Sequence, residues 1–199
     1  MTQPLAGIRV ADFSHVMAGP YASHLLRLMN SDVAEVEIQL LEPIASNSGN
    51  RNELARRAHA EVTEAAARIA PHAHATPVLR SRSLDALAGC ELHFKAEPLQ
   101  RTGAFKFRGA CNAVWALDDA TARAGVVTHS SGNHGAALAL AARTRGIACH
   151  VVVPEGAVAA KLAAIRAYGA TLHPCAPTIA AREARCAQVQ SETGATLVH

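Results

Sequence analysis

Past residue 90 the apolar positions of this chain alternate between two spacings. Short apolar runs, several rich in β-branched residues, read as strands at 92–96, 125–129, 147–153, 171–174 and 196–199. Between them, apolar residues recur at helical spacing over 105–117, 133–143, 157–168 and 179–192. Gly169 is placed to end the third of these helices, because glycine enters the left-handed conformation without a Cβ clash. The last four strands begin roughly every 23–25 residues, as strand–helix repeats of a parallel sheet do. Right-handed crossovers then set helices on both faces, which predicts an α/β fold with a three-layer parallel sheet. The pattern stops inside the strand 196–199. A sheet built from it has an unpaired edge, so the alternation reads as the first part of a larger fold.

Upstream the pattern changes near residues 40–52. Leu54, Ala58, Val62, Ala65 and Ile69 share one face of a helix expected over 53–69, and Asn52 is suited to cap it. A second connector, 71–77, follows. Before residue 42 the order is a strand at 8–13, a loop at 17–20, a helix at 21–29 and a strand at 33–41, one βαβ unit. Residues 42–51 are polar and rich in turn formers, a linker by composition. The organisation expected is therefore 1–41, a linker at 42–51, and 52–199.

Composition narrows the class. Half of the 199 residues are apolar and 18% are charged, as in ordinary globular proteins. Aromatics make up only 4%, so the core must be aliphatic and closely spaced. The net charge of +3 is scattered, with no Lys/Arg run that would suit nucleic acid. No apolar stretch is long enough to span a membrane, and the N-terminus lacks a secretory pattern. Cys90, Cys111, Cys149, Cys175 and Cys186 are odd in number and lack CxxC spacing, which suits free thiols in a cytoplasmic protein. The 11 histidines show no HExxH or Cys/His ligand spacing, so no metal is expected.

Two segments carry candidate chemistry. In Arg101-Thr102-Gly103-Ala104-Phe105-Lys106-Phe107-Arg108, a turn precedes a helix and Lys106 falls in its first turn. The helix dipole is positive at that end and disfavours an ammonium, and burial acts the same way. Both favour the neutral amine that a Schiff-base lysine requires. A solvent-facing lysine beside Arg108 is the other reading. In Thr128-His129-Ser130-Ser131-Gly132-Asn133-His134-Gly135, a strand ends, small residues turn, and a helix begins. Such a loop points N–H groups and hydroxyls at one place and suits a carboxylate or phosphate, although the same residues could serve the turn alone.

Together and in this order, the segments resemble the cofactor-lysine motif and the Ser-Ser-Gly-Asn-His-Gly loop of the pyridoxal-phosphate (PLP) dependent serine/threonine dehydratases and serine racemases. Thr76-Pro77-Val78-Leu79, Asn112-Ala113-Val114 and Ala167-Tyr168-Gly169-Ala170 fit the same family in the expected places. The resemblance runs from about 52 to 199 and covers the N-terminal half of a fold-type II, tryptophan synthase β-like enzyme. It implies that Lys106 carries the cofactor, that Phe105 packs against its ring, and that Asn133 meets the ring's phenolic oxygen. It implies that Ser130, Ser131, Gly132, Asn133 and His134 grip the substrate carboxylate, with Ser131 as second base in a racemase. The expected activity is β-elimination of L-serine or L-threonine to a 2-oxo acid and ammonia, or serine racemisation, by a protein that is commonly a homo-oligomer. The family's glycine-rich phosphate loop, its residue facing the pyridine nitrogen and its cation-binding carboxylates have no counterpart here, which predicts weak cofactor binding. Pro4 to Phe13, Ala18-Gly19-Pro20-Tyr21-Ala22 and Val33 to Glu37 instead resemble the start of class III CoA-transferases. A CoA-transferase remnant or a non-catalytic fusion fragment is therefore the alternative.

Overall fold

The computed structural model describes residues 9–11 and 51–199, with side chains from residue 59 onward. The expected loop, helix and second strand of the N-terminal piece, and most of the linker, lie outside the described residues. Of that piece, β1 (Arg9–Ala11) is described, and it pairs in parallel with β3 (Leu92–Lys95). On the other side of β3 lies β2 (Val78–Leu79), antiparallel to it. The predicted 92–96 strand therefore belongs to a small mixed sheet, apart from the later strands. No crossover helix separates β2 from β3. The intervening α2 (Arg82–Ala88) is capped by Ser81 and by left-handed Gly89, and it serves as a hairpin-like connection.

The second sheet is the predicted parallel one. Its strands β4 (Val126–Thr128), β5 (Cys149–Pro154), β6 (Thr171–Cys175) and β7 (Thr196–Leu197) run in the order β6-β5-β4-β7, all pairs parallel. Successive side chains alternate between faces. Val126, Cys149, Val151 and Val153 join one core with α5 (Asn133–Arg145) and α6 (Ala159–Ala167). Val127 and Val152 join the opposite core with Cys186 and Val189 of α7 (Ile179–Thr193). These are the three layers.

A fourth packing level lies over α5. There α3 (Lys106–Ala116) buries Phe107, Ala110, Cys111 and Val114 against the α5 face of Ala137, Leu138, Ala141 and Ala142. The alanines let the two helix backbones approach closely, which accounts for a core with so few aromatics. Arg145, at the end of α5, donates to the Val114 carbonyl near the end of α3. Arg101, just ahead of α3, also reaches the Thr144 hydroxyl near the end of α5, at 3.4 Å. The short helix α4 (Asp119–Ala122), capped by Asp118, leads from α3 into β4. The first long helix, α1 (Arg51–Ile69), begins before Asn52, which therefore lies inside it and is not its cap.

Candidate functional site

The sheet order places a ligand crevice before any side chain is considered. From β4 the chain winds outward through β5 and β6, then returns to β7 on the opposite side of β4. Strand order reverses between β4 and β7. In open parallel sheets a crevice opens beyond the carboxyl ends of the strands at such a switch point. The segments leaving those ends are His129–Gly135 after β4 and Val198–His199 after β7. The His129 and His199 rings meet edge to face there, 5.1 Å apart.

The loop Ser130–Gly132 turns into α5 by a close backbone approach. A Cβ on Gly135 would stand 1.9 Å from the Ser130 carbonyl oxygen, so only glycine fits. Gly132 is the N-cap and supplies no side-chain acceptor, and no acidic residue lies in the first turn. The first amides of α5 are thus left without a side-chain cap, next to the Ser130 and Ser131 hydroxyls. Ser130, Ser131, Gly132 and His134 are half-buried and Asn133 is exposed. His134 Nε2 lies 3.3 Å from the Val198 carbonyl oxygen and donates to it, which ties the loop to the segment after β7. Burial, opposed by that hydrogen bond and helped by the charges of Lys106, His199 and His129, holds the His134 imidazole below the usual histidine range. It is neutral at pH 7, with Nδ1 as an acceptor.

The same influence sets Lys106 near this loop. Lys106 is the first residue of α3, half-buried, with no acidic neighbour in the first turn. Its Nζ lies 4.8 Å from the centre of the Phe105 ring. The approach to it is strained. Thr102 adopts φ 63, and its buried Oγ1 has no hydrogen-bond partner among the described residues. A left-handed threonine costs about 1–3 kcal/mol, and such residues collect at functional sites.

Behind Lys106 lies a polar clamp. Glu97 is 3% exposed and accepts two hydrogen bonds from Arg108, at 2.9 and 2.7 Å, plus one from Thr76 at 2.6 Å. Burial opposes its ionisation, but the bonds from Arg108 and Thr76 outweigh it and hold the carboxyl below the usual range. Gln100, also 3% exposed, bonds both backbone groups of His74 at 2.9 Å. The connector after α1 is thereby fastened to the residues on both sides of Lys106.

Of the residues singled out from the sequence, Lys106 lies against the Phe105 ring, and its charge reaches His134 of the Ser130–His134 loop. Sequence reasoning missed Thr102, Glu97, Gln100 and His199. The Thr-Gly pair signals a turn but not which of its members is strained. Glu97 and Gln100 are residue types that ordinarily face water.

The described residues fit the ring end of pyridoxal phosphate: a half-buried lysine beside an aromatic ring, an uncapped helix start, and an orphaned hydroxyl. The family described as "Pyridoxal-phosphate dependent enzyme" matches residues 69–199. A serine racemase of Oryza sativa subsp. indica is 53% identical over 138 residues, covering 69% of this chain and 41% of the relative. A beta-hydroxyaspartate dehydratase of Paracoccus denitrificans is 51% identical over 132 residues, 66% of this chain and 42% of the relative. The solved structure of maize serine racemase superposes with a TM-score of 0.69 at 51% identity, covering 70% of this chain and 43% of that one. The chain therefore spans about two-fifths of the length of the curated relatives it matches.

Proposed function

This chain belongs to the pyridoxal-phosphate dependent enzymes, and from that premise we propose that it acts on small β-hydroxy amino acids, with Lys106 as the residue that anchors the cofactor. One observation supports the reading: the Lys106 charge reaches His134, in the first turn of the uncapped α5 start. Bound pyridoxal phosphate supplies an electron sink for a proton lost from the substrate Cα. Lys106, Phe105 and Asn133 would hold it. The α5 amides and the Ser130–His134 loop bind the substrate carboxylate. Lys106 Nζ takes the Cα proton. Where the β-hydroxyl leaves, the products are a 2-oxo acid and ammonia. Where Ser131 Oγ returns a proton from the opposite face, the amino acid is inverted. Neutral His134 braces the loop against β7. The Glu97–Arg108 pair fixes the first turn of α3, and with it the direction from which Nζ enters.

On this reading residues 52–199 are the first part of the catalytic fold, preceded by the 1–41 piece and the linker 42–51. The substrate is an amino acid, and the assembled protein is a cytoplasmic homo-oligomer. The five cysteines are free thiols, as suits that location. No helix among the described residues is long and apolar enough to cross a membrane.

The test is to supply the chain with pyridoxal phosphate and L-serine or L-threonine, and follow both 2-oxo acid and D-serine. Oxo-acid formation is expected to vanish in Lys106→Ala, and D-serine alone to vanish in Ser131→Ala. Equal turnover by wild type and Lys106→Ala would contradict the reading.

A further inference from the structure

Far from Lys106 in sequence, on β5 and β6, two histidines share a site that the proposed chemistry does not use. His150 on β5 and His173 on edge strand β6 lie diagonally across one parallel pair, where His150 faces Thr171 and His173 faces Val152. His150 alternates onto the same face as Val152, the face that α7 covers. Nδ1 of His150 and Nε2 of His173 are 3.1 Å apart, with ring centres at 5.3 Å. Both residues are half-buried, so one side of the pair stays open to water.

We propose that His150 and His173 form a two-imidazole chelate for a divalent first-row transition ion of the zinc, nickel or copper kind, which staples edge strand β6 to β5. The first ground is distance. Metal–imidazole bonds of about 2.0–2.1 Å, at angles between square and tetrahedral, put their nitrogens about 2.9–3.4 Å apart. The separation here falls within that window with no backbone movement. The second ground is ligand type. Imidazole suits zinc, copper and nickel, while magnesium and calcium require oxygen. Ligation takes the neutral rings, so the test is run above the ordinary histidine range.

Without metal, one facing nitrogen carries a proton and donates to the other. On binding, that ring takes the other tautomer, and its proton reaches the remote nitrogen through solvent. Both facing lone pairs then meet the ion after a small turn of the rings, with no net proton released. Water fills the remaining positions. From α7, Arg185 faces the pair, but Glu192 lies 4.0 Å from that guanidinium and offsets its charge. The separation of 23 positions between the two histidines hides the site from any local ligand pattern. Among the described residues there is no group of three or more His, Cys, Asp or Glu side chains able to hold a metal, so the site is a two-ligand one.

The test is titration of the chain with Zn²⁺, Ni²⁺ or Cu²⁺ at pH 8, reading calorimetric binding and the thermal unfolding temperature. One ion per chain is expected, with a rise in unfolding temperature that grows with metal concentration. His150→Gln or His173→Gln should weaken binding at least about tenfold, and the double variant should abolish the shift. Cu²⁺ bound to the unsubstituted protein should show nitrogen couplings from two imidazoles by electron paramagnetic resonance, which keeps the test independent of how the variants fold. Binding that survives in the double variant, or coupling to fewer than two imidazoles, would overturn the proposal. A metal at the His129–His199 cluster would appear as that surviving binding. None of these readouts uses pyridoxal phosphate, so the outcome is independent of the catalytic reading.

Discussion

Gly135 shows how much a single missing atom can matter at this site. A methyl there collides with the Ser130 carbonyl, so Gly135→Ala must push the loop off the α5 N-terminus. The expected cost is about 1–3 kcal/mol by denaturant unfolding, as for other overpacked positions. Thr102 predicts the opposite sign. Thr102→Gly relieves a left-handed conformation worth about 1–2 kcal/mol, against about 0.5–1 kcal/mol of added chain entropy in the unfolded state. The variant should therefore be more stable by a fraction of a kcal/mol to about 1 kcal/mol; a loss of stability would mean that the threonine side chain has a native partner. At Glu97 the depressed carboxyl gives a pH signature. A carboxyl ionised more readily in the folded state stabilises fully above its unfolded value near 4.5, and that contribution is lost as pH falls through the lower folded value. Glu97→Gln leaves Arg108 short of its partner and should cost about 1–3 kcal/mol at pH 7. The gap to wild type should narrow below pH 4.5 in unfolding measurements. The segments around Lys106 and the serine loop stand out in the sequence because each is a local run of residues. Glu97 does not, since its burial depends on Arg108 and Thr76, 11 residues ahead and 21 behind.

At the scale of elements, the long periodic segments were readable and the short ones were not. The helices at α3, α5, α6 and α7 and the four parallel strands follow from apolar spacing, with ends shifted by one or two residues. Two shifts have local causes. Helix α5 runs past 143 to Arg145, because left-handed Gly146 ends it. Helix α6 ends at Ala167, with Tyr168 as its C-cap, because left-handed Gly169 follows at φ 91. The helices α2 and α4 are too short to show a period, and they depend on the caps Ser81 and Asp118. The uncapped start of α5 makes an element-scale prediction. A Cβ on Gly132 meets nothing within 4 Å, and its φ of −114 suits any L-residue. Gly132→Asp should cap the helix and raise stability by about 0.5–1 kcal/mol. The new carboxylate would occupy the amides that bind substrate, so the same variant should raise KM sharply. Stability and KM moving in opposite directions distinguishes a ligand site from an ordinary helix end.

For the whole molecule, what matters is how two sheets and the packed pair α3 and α5 bring distant segments together. The strand spacing predicted a parallel sheet, but the reversal of order between β4 and β7 is a long-range property that no local pattern encodes. That reversal puts His199 beside His129 and the serine loop. The separate mixed sheet of β1, β3 and β2 was equally hidden, because its strands are short and its middle strand pairs in both senses. The Lys106 charge, at the start of α3, reaches His134 in the first turn of α5. The central claim is that this arrangement makes Lys106 the cofactor anchor, and the sequence permits a clean test because it holds only three lysines, Lys95, Lys106 and Lys161. Lys95 is tied to the Thr76 carbonyl and Lys161 is exposed. The decisive measurement is borohydride reduction of the chain mixed with pyridoxal phosphate, followed by peptide mapping of the labelled amine. Label is expected on Lys106, displaced by L-serine added before reduction. Label confined to Lys161 or the N-terminal amine, or spread evenly over all of them, would contradict it.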